Sequence, residues 1–293
     1  MRTAMSFVIA TTLAACGGSS TGALDAPIAD ADPLAPDADP AAPDADPAAP
    51  DARTGALVLP PDNASLDYQL GGAYTPPAGV QIVSRDRTAS PAAGIYNICY
   101  VNGFQIQPGE EAAWMADHPD LILRDSGGQP VIDQDWNEML IDVSTPAKRT
   151  ELAGVVGGWI HGCATAGFDA IEIDNLDSYS RSAGLLTMDH AVAAMRLFAD
   201  AAHAAGMPIA QKNSSELVGR KADMGTDFVV AEECNRYSEC GTYTASYGTH
   251  VLVIEYRQVD FDAGCAAFPQ LSIVLRDRDL VPKGQAGYVY AGC

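Results

Sequence analysis

A rhythm of eight short apolar runs, separated by longer polar or helix-forming stretches, limits the fold of this chain more than any other feature. From residue 66 onward the runs are Tyr68–Leu70, Ile95–Val101, Met139–Val143, Ala170–Ile173, Met207–Gln211, Phe228–Ala231, Val251–Glu255 and Leu271–Leu275. Several are almost continuously apolar, as strands covered on both faces must be. Two intervening stretches carry clear helix signals. Thr145–Ala166 opens on the start signal Ser144-Thr145-Pro146, and Asp189–Ala205 is Ala-rich, lacks Pro and stops at Gly206 with Pro208 just beyond. Eight strands with helices between most of them predict an α/β chain folded as a single-domain (β/α)8 (TIM) barrel; an open doubly wound sheet is the competitor.

The polar residues at the ends of these runs favour the barrel. Asp142 follows the third run, Glu172, Asp174 and Asn175 end the fourth, and Gln211, Lys212 and Asn213 end the fifth. Glu232-Glu233 ends the sixth, Glu255-Tyr256 the seventh and Arg276-Asp277 the eighth. A charge at the end of a buried strand costs several kcal/mol unless it is paired or solvated. In a barrel these ends converge on one mouth, where active sites lie; in an open sheet they would spread along an edge.

The first 53 residues are of another kind. Arg2, the apolar run Ser6–Ala14 and the small residues up to Cys16 predict an export signal too short to span a bilayer. Leu13-Ala14-Ala15-Cys16-Gly17 resembles a bacterial lipobox, so Cys16 is the expected lipidation site; an ordinary cleaved signal is the alternative. The chain is thus expected to be exported, either lipid-anchored in a bacterial cell envelope or secreted. Residues 17–53 repeat Asp-Ala-Asp-Pro-Ala-Ala-Pro at Asp37–Pro43 and Asp44–Pro50, contain eight Asp and have no aromatic residue. With nothing to bury and like charges repelling, this stretch predicts a disordered spacer ahead of a folded domain at 54–293.

Residues 54–293 hold thirty acidic and fifteen basic side chains, a net charge of −15. Such a surface excludes nucleic acid as a partner, because phosphate contacts need clustered Lys and Arg. It favours a cationic substrate if other features indicate one. Six cysteines remain after Cys16, an even number that predicts disulfides in an exported domain. Cys234 and Cys240 are near enough in sequence to clip one loop, Cys265–Cys293 would tie down the C-terminus, and Cys99–Cys163 is what remains. No CxxC or paired-His spacing exists, and the five histidines are scattered singly, so neither a metal nor another cofactor is expected.

Glu172 and Asp174 alternate with Ile171 and Ile173, so both carboxylates should point the same way. Glu232, two strands on, would face Asp174 across the mouth, with Lys212 between them. Facing carboxylates without metal ligands, a Ser/His pair or a phosphate loop are the apparatus of glycoside hydrolysis. Mutual repulsion among clustered acids can keep one protonated and another ionised. Tyr100, Trp136, Tyr179, Tyr237 and Tyr256 sit at predicted strand ends or in the following loops, where aromatic planes could stack on sugar rings.

These residues carry a resemblance. The segment from Gly167-Phe168-Asp169 through Glu172-Ile173-Asp174-Asn175-Leu176-Asp177 resembles the hallmark of glycoside hydrolase family 114, the endo-α-1,4-polygalactosaminidases. Gln211-Lys212-Asn213, Glu232-Glu233-Cys234 with Tyr237, Glu239 and Cys240, and Ile254-Glu255-Tyr256 match in order, as do Trp136–Glu138 and Ile98-Cys99-Tyr100. The resemblance implies a TIM barrel that cleaves internal α-1,4 bonds of galactosamine polymers with retention, using acids that match Asp174 and Glu232. Asp174 is then the expected nucleophile and Glu232 the general acid/base, with Glu255 the rival for either role. Tyr100, Trp136, Glu172, Asn175, Asp177, Lys212, Asn213, Glu233, Tyr237, Glu255 and Tyr256 are expected to bind substrate or tune the acids. The implied partner is a cationic amino-sugar polysaccharide, acted on by a monomer that meets the membrane only through Cys16. A barrel that binds the polymer without cleaving it, or one that hydrolyses another α-linked glycan, are the alternatives.

Overall fold

The computed structural model describes residues 56–293; the expected export signal, the expected lipidation site Cys16 and the expected spacer 17–53 lie outside the described residues. Eight parallel strands run in chain order around one sheet. They are β1 (Leu66–Tyr68), β2 (Ile82–Asp86), β3 (Tyr96–Asn102), β4 (Ala170–Asp174), β5 (Ile209–Lys212), β6 (Phe228–Glu232), β7 (Val251–Glu255) and β8 (Ser272–Arg276). A ninth strand, β9 (Tyr290–Gly292), adds antiparallel to β8. The helices are α1 (Glu111–Asp117), α2 (Pro146–Ala166), α3 (Met188–Ala204), α4 (Lys221–Met224), α5 (Cys240–Tyr247) and α6 (Gln258–Ala267). This is a TIM barrel with departures: among the described residues no helix separates β1, β2 and β3, and β9 stands where an eighth helix would follow β8. None of the described helices is long and apolar enough to cross a membrane.

The two helices with sequence signals form as their caps dictate. Thr145 Oγ1 accepts from Lys148 N at the start of α2, Pro146 occupies the first turn, and Gly167 ends the helix at φ 96°. Thr187 and His190 form a capping box at the start of α3.

Two sequence expectations need correction. Met139–Val143 is not a barrel strand; Glu138–Leu140 is the middle strand of a small antiparallel sheet with Gln105–Ile106 and Ile132–Asp133. That sheet sits in the long excursion between β3 and β4. Asp142 consequently leaves the mouth and pairs with Lys148 at 2.6 Å. The missing barrel strand is β2, whose Ile-Val-Ser-Arg-Asp sequence hides it. Ser84 and Arg85 interrupt the apolar run, yet both are buried and bonded, Ser84 Oγ donating to Glu172 Oε2 (2.7 Å) and Arg85 Nε to Gln69 Oε1 (2.9 Å).

Strand alternation sorts every side chain of the barrel. Leu66, Ile98, Ala170, Phe228, Ile254 and Val274 fill the interior. Ile171, Ile173, Val101 and Ile209 face the helices α2 and α3. Val229, Val251, Val253 and Ile273 face α5 and α6. Residues in step with the interior set therefore point towards the mouth: Tyr68, Tyr100, Asp174, Lys212, Glu232 and Tyr256 reach it, and Glu172 is buried just beneath. Just past β3, Gly103 passes so close to β4 that a Cβ there would lie 2.6 Å from Ile173 Cγ2, so only glycine fits.

Three disulfides join Cys99 to Cys163, Cys234 to Cys240 and Cys265 to Cys293. They link β3 to α2, clip the loop after β6 and tie the tail to α6.

The barrel closes through side chains. Ala64 N donates to Ser272 Oγ (2.9 Å), and the fully buried Arg276 pairs with the fully buried Asp67 (3.0 Å) while also bonding the Tyr68 carbonyl. Arg276→Met should leave Asp67 as an uncompensated buried carboxylate and cost roughly 3–5 kcal/mol of unfolding free energy. Denaturant melts should show the loss, and the double variant Arg276→Met/Asp67→Asn should recover much of it.

Candidate active site

A cavity of about 590 Å³ opens at the carboxyl ends of the strands and adjoins a smaller lobe of about 270 Å³. Trp136, Asn213, Glu232, Tyr256 and Arg278 line both lobes. Asp174 lines only the larger lobe, with Tyr68, Tyr100, Glu138, Asn175 and Asp177 among its neighbours; Glu233, Tyr237 and Glu239 line only the smaller one.

Lys212 is the centre of the site. It is 2% exposed, and its Nζ lies 3.2 Å from Glu172 Oε1, 3.3 Å from Asp174 Oδ2 and 3.3 Å from Glu232 Oε2. Burial pushes its pKa down, but the charges of Asp174, Glu232 and Glu172 outweigh burial and hold it well above the ordinary lysine value. The ammonium stays charged and gathers three carboxylates around one point. Since Asp174 and Glu232 each reach the same nitrogen, their facing oxygens are at most twice 3.3 Å apart.

The three acids differ in surroundings. Glu172 is sealed, accepting from Tyr68 OH (2.6 Å) and Ser84 Oγ (2.7 Å), and burial raises its pKa despite Lys212 and these bonds. It cannot reach a sugar and instead anchors Lys212. Asp174 is partly open to the cavity. Burial would raise its pKa too, but Lys212, the Tyr100 hydroxyl (2.7 Å) and the Asn175 backbone N–H (2.8 Å) prevail and hold it below the usual carboxylate range. Glu232 is 27% exposed and is held by Tyr256 OH on Oε1 and by Asn213 Nδ2 on Oε2 (3.3 Å).

The chain turns sharply just past three of these strands. Asn175 (φ 62°), Asn213 (φ 46°) and Glu233 (φ 56°) all lie in the left-handed region that most residues avoid. The turns redirect the chain within one residue of Asp174, Lys212 and Glu232. Asn213 is locked there by accepting from Glu232 N (2.8 Å), and Glu233 by Arg236 (2.5 Å) and Arg278 (2.6 Å).

Other expected site residues fall in graded positions. Trp136 and Tyr237, 59% and 58% exposed, stand on the rim, and Asp177 is held by Arg181 at 2.7 Å. Tyr179 turns instead to Glu216. Glu255 does not join the cluster. It is out of step with the inward-facing Ile254 and Tyr256, so it lies buried on the helix side, where Oε1 accepts from Asn235 N (2.8 Å) beneath the Cys234–Cys240 loop. Burial raises its pKa to about 7, and Oε2 has no partner. Sequence reasoning also assigned no role to Glu138 or Arg181, both of which line the larger lobe.

The chain is similar in structure to Ega3 of Aspergillus fumigatus in complex with galactosamine, with a TM-score of 0.65 and 21% identity, over 82% of this chain and 99% of that one. It is also similar to the glycoside hydrolase domain of PelA from Pseudomonas aeruginosa, with a TM-score of 0.52 and 15% identity, over 76% and 98% of the two chains. At these identities the likeness concerns the fold. No curated protein matches the chain. The model of glycoside-hydrolase family GH114 matches residues 46–293, most of the sequence and all of the barrel, and the chain belongs to that family and is a glycosidase.

Proposed function

We propose that this chain cleaves internal α-1,4 bonds of galactosamine-containing polysaccharide with retention, Asp174 acting as nucleophile and Glu232 as general acid/base. One observation carries the assignment: Glu232 lines both lobes of the cavity, whereas Asp174 lines only the larger. The acid that protonates a glycosidic oxygen must stand between the two sugars that part, and the nucleophile must stand under the sugar that keeps its anomeric carbon. In the first step the Asp174 carboxylate attacks that carbon, the C–O bond breaks, and Glu232 gives its proton to the departing oxygen. In the second, Glu232 takes a proton from water, which displaces Asp174 and restores the carboxylate. Lys212 keeps Asp174 ionised, as a nucleophile requires, and Tyr256 and Asn213 hold Glu232 in place. Lobes on both sides of Glu232 suit a cut within a chain.

The acidic domain and the galactosamine in the similar Ega3 structure support an amino-sugar polymer. Three disulfides support an oxidising compartment, so we assign 1–16 to export, Cys16 to lipidation, 17–53 to a spacer and 54–293 to catalysis. Incubation with a de-N-acetylated α-1,4-galactosamine polymer should release new reducing ends in short oligomers. Binding without any release would mark a binding-only barrel and contradict the proposal.

A further inference from the structure

We propose that Glu138 reads the 2-amino group of the sugar in the larger lobe, so that the enzyme cuts on the reducing side of a residue with a free amine. The inference rests on the amino-sugar reading above and specifies which residue of the polymer must be deacetylated. Glu138 lies on the small antiparallel sheet, two residues beyond the rim Trp136, and lines the lobe that holds Asp174. Its Oε2 accepts from Asn102 Nδ2 (3.0 Å), Asn102 Oδ1 accepts from Asn175 Nδ2 (3.0 Å), and Asn175 N donates to Asp174 (2.8 Å). This short relay fixes Glu138 on the side of Asp174. The substituent on C2 is next to the anomeric carbon that Asp174 attacks, so an acid anchored beside the nucleophile is suited to meet it.

Charge pairing singles the residue out. Asp174 and Glu232 share Lys212, and Asp177 is paired with Arg181. Among the described residues Glu138 has no ion-pair partner; of the other acids lining this lobe only Asp279 is likewise unpaired, and it is exposed at the edge. Burial, with Asp174 and Asp133 nearby, pushes Glu138 up to about 7 against the Asn102 bond and the more distant Arg181. A bound ammonium would supply the missing cation.

The test compares wild type with Glu138→Gln, which keeps the Asn102 bond and the side-chain shape. The probes are an α-1,4-galactosamine polymer and its re-N-acetylated counterpart, with mass spectrometry of the residue at each new reducing end. Wild type should leave galactosamine at the new reducing ends. Glu138→Gln should lose about 30-fold or more in kcat/KM on the free-amine polymer, chiefly through KM, with no comparable loss on the acetylated one. The ratio between substrates within one preparation is independent of the folded fraction. If wild type cleaves the free-amine polymer and Glu138→Gln keeps its preference and end residue, this inference alone is overturned. Cleavage of neither polymer by wild type would overturn the proposed function, and this inference with it.

Discussion

Asp174→Asn should reduce turnover by about 10⁴-fold on every substrate, and Glu232→Gln by about 10²–10⁴-fold, but only where the leaving group needs a proton. The difference follows from what each residue does to the breaking bond. An amide at position 174 cannot form the covalent intermediate, however easily the leaving group departs. An amide at 232 removes the proton donor, which a leaving group of low pKa does not require. With an aryl or fluoride leaving group, therefore, the first step in Glu232→Gln should run near its wild-type rate, and the second should slow because water lacks its base. Asp174→Asn should stay inactive on the same compound. Both variants should fold, since Asp174 and Glu232 are partly open to the cavity and each amide is nearly the shape of its acid.

The second large effect is at Lys212. Lys212→Met should lower stability by roughly 3–5 kcal/mol at pH 7 and abolish measurable activity. The substitution leaves Glu172, Asp174 and Glu232 facing one another around an apolar side chain. The pH dependence should change sign with it. In the wild type Asp174 is held below its unfolded value of about 3.9, so it contributes stability at neutral pH that is lost as pH falls through its folded value. Glu172 behaves oppositely: its folded value is raised, so the folded state binds that proton more readily and the site costs stability above it. Without Lys212, burial dominates at Asp174 too, and protonation relieves the repulsion. Thermal melts should show a large Tm deficit at pH 7 that shrinks towards pH 4. A deficit constant with pH would mean that Lys212 acts by packing alone.

Much of this site was legible from residue type and alternation, because buried strands tolerate charges only where charges meet. Glu172, Asp174, Lys212 and Glu232 share the parity of the interior residues on their own strands, and that parity carries them towards the mouth. The same rule excludes Glu255, which falls with Val251 and Val253 on the helix side. The runs that became β3 to β8 were plain, whereas β2 was concealed because its polar residues are satisfied by partners far along the chain, such as Glu172. The hairpin ending at Leu140 was mistaken for a barrel strand because a short apolar run does not reveal whether its neighbours are parallel or antiparallel. Glu138 falls within the matching Trp136–Glu138 segment but gains no role from the sequence, because it lies in that misread hairpin; Arg181 was not legible as a site residue, since it lies in the 3₁₀ turn after β4 and only the fold brings it to the cavity.

The most direct test of the account is to trap the intermediate. Glu232→Gln should be mixed with an α-linked galactosaminyl fluoride, quenched, and mapped by peptide mass spectrometry. A galactosaminyl adduct on Asp174 is the predicted result. An adduct on another carboxylate, or turnover with no adduct and a product of inverted configuration, would contradict it.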